Sequence, residues 1–425
     1  MTVNRIKAAP GAGLALIATD KFKSGNFSLN FYIPLERETA AEVSLLSRVM
    51  MRGTERHPDI GSLNRYTDML YNLSFGASVS ANGSMQIFSL TLDFLDDRFV
   101  PKAENMDILA SAMNFVCEFF CEPLLVNGSF SPEYTEAERK LLLDRIRGEI
   151  NNKNAYAFKR CRRLMLGEHP AAISPEGEIE TVSAVKAEAL YPRLLSILRG
   201  CHCEAMYAGN VTERTEKLIL DTLRRILPAD RADVPLPERV PFVPEGEARR
   251  VTEEATARQG RLILGYSFPY DGTESAVAAI FNDIFGGSPM SRLFMNVRER
   301  LSLCYYCSSV PDVAVGALWV RSGLAEENLP LAEEEIARQL ADIASGNVSE
   351  EELAVAKLSL IGSMKTLMDS PAALGDWYLR RYSLGLSADP ERMIDEAERV
   401  SAADVSEMAG RVRLCLGYYL RGTEL

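Results

Sequence analysis

The sequence predicts an α+β fold built as two tandem copies of one domain, each a mostly antiparallel sheet with clustered helices. Three observations predict it. First, residues 130–167 repeat in residues 348–385 at a constant offset of 218, so that Ser131 meets Ser349, Glu133 meets Glu351 and Arg162-Arg163 meet Arg380-Arg381. Leu142 meets Leu360, Gly167 meets Gly385, and the triplet Val-Ser-Ala at 182–184 returns at 400–402. A period this long is not that of a solenoid repeat and signals duplication of a whole domain. Second, each copy runs from alternating strands to long helices, an order that suits α+β better than a doubly wound parallel sheet. Third, residues 228–246 hold five prolines and no helical periodicity. Proline removes backbone donors and fixes φ, so this stretch reads as an extended linker. The copies are placed at 1–225 and 247–425, with a proline-rich linker at 226–246.

In the first copy an alternating strand precedes a helix over 39–52 and a shorter one over 62–71, then two strands including "MQIFSLTLDF". Long helices follow over 103–121 and 133–165. The second copy gives helices over 273–285 and 290–301, a strand in "GALWVRSGL", and helices over 330–344 and 350–369. A final helix and strand close each copy.

The chain of 425 residues is 47% hydrophobic, enough for large cores and too long for one ordinary domain. Its net charge of −12 repels phosphate backbones, which argues against nucleic acid as a partner. No apolar run approaches the ~20 residues of a membrane span. The segment "AAPGAGLALIA" (8–18) has the look of a signal peptide, but Pro10, Gly11 and Gly13 interrupt it and strand-like alternation follows. Eight cysteines form no regular framework. Reduced thiols in a cytoplasm are therefore expected.

Two stretches carry the functional signal. "SLLSRVMMRGT" (44–54) is an amphipathic helix ended at Gly53-Thr54, with Ser47 and Arg48 exposed on the plain reading of its periodicity. "FGGSPMSRLFMNVRERLSLCYYCSS" (285–309) combines a glycine turn, a Ser-Arg-Leu helix, and Arg298 and Tyr305 seven residues apart. By local pattern alone, Arg298 is a solvated helix residue and Tyr305 a strand aromatic.

Over nearly its whole length the chain resembles the insulinase/pitrilysin family of zinc metallopeptidases, which includes the mitochondrial processing peptidase. It is most similar to the short bacterial subunits with degenerate metal motifs. The resemblance implies that the two domains form half of a clamshell, with two halves enclosing a chamber. The family's zinc helix reads H-x-x-E-H, closely followed by Gly-Thr, and a distal glutamate completes the ligand set. Aligned on Gly53-Thr54, the first histidine falls on Ser44, the glutamate on Ser47 and the second histidine on Arg48. The distal ligand falls on Arg145. Serine hydroxyls are poor zinc ligands, and a guanidinium cannot deprotonate to become one. No metal is expected in this chain, zinc being expected only in a partner subunit. The second copy's helix "TESAVAAIFNDIFGG" has no histidine either.

The resemblance gives Arg298 and Tyr305 the place of an arginine and a tyrosine that face the zinc of the opposing half. There a tyrosine hydroxyl can donate to the oxyanion and an arginine can hold the substrate backbone. Ser302 stands where the family has glycine, so a different turn is possible. The expected function is that of a non-catalytic subunit of a heteromeric peptidase, not an enzyme on its own. Its partner is expected to be a homologous zinc-bearing chain, or a second copy of itself as a homodimer, acting on a peptide substrate with no membrane involved. The alternative is a peptide-binding or scaffold protein, using exposed strands such as "ASVSAN" (77–82). An autonomous metallopeptidase would need ligands such as Cys201, His202 and Cys203, though adjacent residues rarely aim at one ion. Cys117 and Cys121, four apart on an apolar helix, read as buried thiols. His57 reads as part of a surface turn.

Overall fold

The computed structural model describes residues 3–270 and 272–423. Its contacts resolve into two compact units. Unit 1 comprises Met1–Arg147, Ile173–Glu238 and Leu367–Asp389; unit 2 comprises Gly148–Ala172, Arg239–Thr366 and Pro390–Leu425. Both are α+β.

Unit 1 is built on β1 (Val3–Ala9), β2 (Ala12–Ala18), β3 (Ser24–Pro34), β4 (Ser74–Asn82), β5 (Met85–Leu95) and β8 (His202–Gly209); β6 (Leu125–Val126) and β7 (Ser129–Phe130) form a small separate hairpin. The six-stranded sheet has the order β1-β2-β8-β3-β5-β4. Unit 2 uses β9 (Arg249–Thr256), β10 (Gly260–Ser267), β11 (Cys304–Asp312), β12 (Ala317–Leu324) and β13 (Arg413–Thr423), in the order β11-β12-β10-β13-β9. Each sheet is antiparallel except for one parallel pair, β2 with β8 and β9 with β13. Setting aside β1, the two orders are the same read in opposite directions. The duplication seen in sequence is thus repeated in topology.

The segment with the look of a signal peptide is the end of β1 and all of β2, whose residues 12–17 are buried. Among the described residues no helix is long and apolar enough to cross a membrane.

The compact units are not the contiguous sequence copies at 1–225 and 247–425. The expected long helix over 133–165 is two helices, Pro132–Gly148 and Lys153–Leu166. Asn152 breaks it by accepting the Ala155 N–H at 3.2 Å, an N-cap that starts the second helix anew. That second helix packs in unit 2, where Ala157, Cys161 and Met165 meet Ile263, Trp319 and Tyr418. In the other copy, helix Glu350–Leu367 stops and Ser370 caps helix Pro371–Tyr382, accepting the Ala373 N–H at 3.2 Å. This helix packs in unit 1. The two copies have exchanged equivalent helices.

Strand β8 shows what the exchanged helix covers. Its side chains alternate between faces. Cys203, Ala205 and Tyr207 join the main core with helix Arg37–Met50, while Met206 and Ala208 join Leu374 and Tyr378 of the exchanged helix. Gly375 permits the close approach, since a Cβ there would collide with Met206. On the same face Glu204 is wholly buried. It accepts from Arg5 Nε at 2.9 Å, Arg5 Nη2 at 3.0 Å and the Tyr378 hydroxyl at 3.0 Å. Arg5 Nη2 also donates to the Tyr382 hydroxyl at 2.8 Å, and His202 Nε2 lies 2.9 Å from that hydroxyl. The exchanged helix is held by apolar contact and by this polar cluster.

Residues 231–245 form neither helix nor strand and are pinned at both ends. Asp233 accepts from the Gly11 N–H, and the Phe242 N–H donates to the Val315 carbonyl at 2.8 Å.

Two substitutions test the account of the exchanged helix. Leu374→Ala removes a buried anchor and should cost about 3 kcal/mol. Arg5→Ala leaves the Glu204 carboxylate short of its charge partner and should also cost about 3 kcal/mol. Both are read from the urea midpoint, and Tyr378→Phe should cost about 1 kcal/mol.

Candidate functional site

Helix Arg37–Met50 is buried on nearly every side. It packs against β4, β5 and the helices Ile179–Ala184 and Ala187–Gly200. The plain reading of Ser47 and Arg48 as exposed is therefore corrected: Ser47 is 2% exposed and the Arg48 side chain 24%. Periodicity marked a polar stripe, but that stripe faces a cavity instead of bulk solvent.

The Gly53-Thr54 pair that follows has a packing role of its own. A Cβ at Gly53 would lie 2.7 Å from the His57 carbonyl oxygen, so only glycine fits. Thr54 is buried, accepts the His57 N–H at 3.0 Å through its hydroxyl, and bonds Glu118. His57 is not a free surface turn: its ring stacks on Tyr66 with centroids 4.5 Å apart. The frame persists because the turn needs it, whatever became of the ligands.

The four positions aligned with the family's ligands do not all converge. Ser44 is wholly buried and its hydroxyl has no partner, outside the cavity lining. Ser47 donates to the Ser44 carbonyl at 2.8 Å. Arg48 and Arg145 do meet. Both reach the same oxygen of Glu176, at 3.5 and 3.1 Å. Beside them Arg52 pairs with Glu138 through Nε at 2.6 Å. These groups line a cavity of about 390 Å³, walled also by Met51, Ile60, Ala77 and Val79. Zinc does not fit this set. The hydroxyl at the first position is sealed away, and the guanidiniums bring positive charge to where a cation would sit. Glu176, in the loop before helix Ile179–Ala184, was not singled out in the sequence.

The smaller candidates resolve to structure. Among the described residues no cluster of three His, Cys, Asp or Glu side chains is placed to share a metal. Both His202 nitrogens are engaged, one by the Val234 carbonyl at 3.0 Å and one by Tyr382. Cys203 is buried among apolar side chains. Cys117 is buried as expected, while Cys121 is exposed at the end of its helix. All eight cysteines are free thiols.

Arg298 and Tyr305 lie in unit 2. The expected helix over 290–301 is a wider, i→i+5 bonded turn spanning Leu293–Arg300, closed by the Leu301 N–H to the Asn296 carbonyl at 3.1 Å. Arg292 anchors its start in a near-buried triad, with Nε 2.7 Å from Glu352 and Nη1 2.7 Å from Asp342. Arg298 lies 4.5 Å over the Phe294 ring and 3.3 Å from Glu299.

Ser302 adopts φ +50°, the left-handed conformation that glycine takes without strain. A non-glycine residue thus makes the left-handed turn that leads into β11. Tyr305 then falls in a bulge: Cys304 pairs with Leu324 and Tyr306 with Gly323, leaving Tyr305 unpaired. Bulges re-aim side chains, and Tyr305 is 66% exposed. Next to it, the Cys304 thiol is brought down to about 7 by a hydrogen bond from Cys307, with Ser322 and the Arg298 charge contributing in the same direction.

The chain is similar to several known proteins. The model of the peptidase M16 inactive domain matches residues 190–360. A Bacillus subtilis protein named a probable inactive metalloprotease, YmfF, is 26% identical over 99% of both chains. A conserved protein from Enterococcus faecalis has the same fold, with a TM-score of 0.90, 25% identity and full coverage of both chains. The periplasmic protease PqqL of Escherichia coli aligns with 99% of this chain at a TM-score of 0.71 and 16% identity, but only 48% of PqqL is covered. These likenesses make the chain a homologue of the M16, insulinase/pitrilysin-type, metallopeptidases, similar to members described as inactive.

Proposed function

We propose that this chain is a non-catalytic subunit of a heteromeric M16-type peptidase. It closes a chamber with a homologous zinc-bearing chain and lends Arg298 and Tyr305 to that chain's site. A homodimer is the form expected when no such chain is present, and the cytoplasm is the proposed compartment. The observation that carries the reading is the bulge at Tyr305, which leaves an exposed phenol close after the half-buried Arg298. The comparison with PqqL supports it, since about half of that protease lies outside the part that aligns with this chain.

The chemistry of the lent residues follows from their types. The Tyr305 hydroxyl donates a hydrogen bond to the oxygen that gains charge when a peptide carbonyl is attacked. Such a donor acts mainly in the transition state. The Arg298 guanidinium holds a substrate carbonyl by charge-assisted hydrogen bonds and orients the peptide.

A second reading, a peptide-binding or scaffold protein, is favoured by β4. It is an edge strand of the unit 1 sheet and contains the 77–82 stretch, so it offers a backbone edge for strand addition, with the Ala77 N–H already directed at Met51 Sδ at 3.3 Å. This reading predicts peptide affinity with no hydrolysis in any assembly.

Three measurements test these readings. Co-purification from the native host should recover a zinc-bearing homologue. In that complex Tyr305→Phe should lower kcat about 100-fold with assembly intact, and Arg298→Ala should raise KM; unchanged cleavage overturns the shared site. The chain alone should show no stoichiometric zinc by elemental analysis and no hydrolysis after zinc is added. Finally, Arg298→Ala should move the alkylation of Cys304 to higher pH, because removing a cation disfavours the thiolate, as read from the iodoacetamide rate against pH.

A further inference from the structure

The cavity around Arg48 and Arg145 carries more positive charge than it balances. Arg52 and Glu138 are a matched pair. Arg48 and Arg145 share one carboxylate, and both approach the same oxygen of Glu176. Each guanidinium has five N–H donors, so most of this donor capacity is left over after one shared oxygen. Three guanidiniums against two carboxylates leave one uncompensated positive charge in the lining. That is a local reversal in a chain of net charge −12. Met51, Ile60 and Val79 add apolar wall, which lowers the local dielectric and strengthens the pull on an anion.

The anion has a natural source. Ala77, Ser78 and Val79 of β4 form one wall, and β4 is a sheet edge along which an extended chain can lie, although the Ala77 N–H already reaches Met51 Sδ at 3.3 Å. The volume of about 390 Å³ falls in the range of small-ligand sites. We infer that this cavity is a carboxylate-binding site, occupied by the carboxylate of an extended peptide lying along β4. The position that holds a cation in the catalytic relatives has become a receptor for an anion. Planar guanidiniums match a carboxylate through paired N–H donors, and the Arg48–Glu176–Arg145 group presents two of them. The inference needs neither a partner chain nor Arg298 and Tyr305, so it stands or falls apart from the proposed subunit role.

The test is calorimetric titration of the isolated full-length chain. The probes are one N-acetylated alanine-valine peptide in three forms: free acid, C-terminal amide, and amide with one internal glutamate. At least one carboxylate-bearing form should bind about tenfold or more tighter than the neutral amide, a preference that weakens as salt is raised. Preference for the free acid identifies a C-terminal carboxylate as the natural group, and preference for the glutamate form a side chain. Arg145→Ala should erase the preference, and because that side chain is 62% exposed the variant is expected to keep the wild-type melting temperature. Arg145→Lys, which keeps the charge but not the planar fork, should retain part of it. Equal affinity for all three peptides, no binding of any of them, or an unaltered preference in Arg145→Ala overturns the inference.

Discussion

The sharing of the Glu176 carboxylate by Arg48 and Arg145 sets the charge of the cavity beside helix Arg37–Met50. A metal site gathers lone pairs around a positive centre. Here the protein side chains themselves supply the positive charge, and the single carboxylate stands where the charges meet. Such a pocket cannot be turned back by replacing one residue. The serine hydroxyls are spent or sealed, with Ser47 bonded to the Ser44 carbonyl and Ser44 wholly buried. The helix around them remains because its apolar sides and the Gly53-Thr54 turn have separate packing duties.

In unit 2, around Arg298 and Tyr305, the supporting structure is elaborate: a near-buried Arg292 triad, a widened helical turn, a strained Ser302 and a bulge. A left-handed serine costs on the order of 1 kcal/mol relative to glycine, and surrounding contacts hold it there. The Leu303 N–H bonds the Val297 carbonyl at 3.0 Å, and Asn328 donates to the Leu303 carbonyl at 3.0 Å. That turn fixes the start of β11, from which the bulge places Tyr305.

Much of this was legible in the sequence. The constant offset announced the duplication, and alternation followed by clustered helices gave the α+β class. The strand order could not be read, because pairing depends on contacts far apart in sequence. The helix exchange was hidden for a related reason: Asn152 and Ser370 sit at equivalent places, so the repeat runs through both breaks undisturbed. Arg48 and Arg145 were found by aligning a motif frame. Glu176 was not, since it lies in a loop with no periodicity to mark it, and its importance comes only from its neighbours. The same limit explains Ser47: helical period distinguishes a polar stripe from an apolar one but does not say whether that stripe meets water or an internal cavity. The spacing of Arg298 and Tyr305 was plain, whereas the bulge between Cys304 and Tyr306 required the ladder.

The exchanged helices have a consequence for how the polypeptide can be divided. Cutting at the proline-rich segment would leave the first portion without the Leu374 and Tyr378 that cover Ala15, Ile17, Met206 and Ala208. It would leave the second without Ala157 and Cys161 over Ile263 and Trp319. Each fragment would carry a bare apolar patch together with a helix made for the other's patch. The two halves repeat in sequence, yet each completes its core only with a helix drawn from the other.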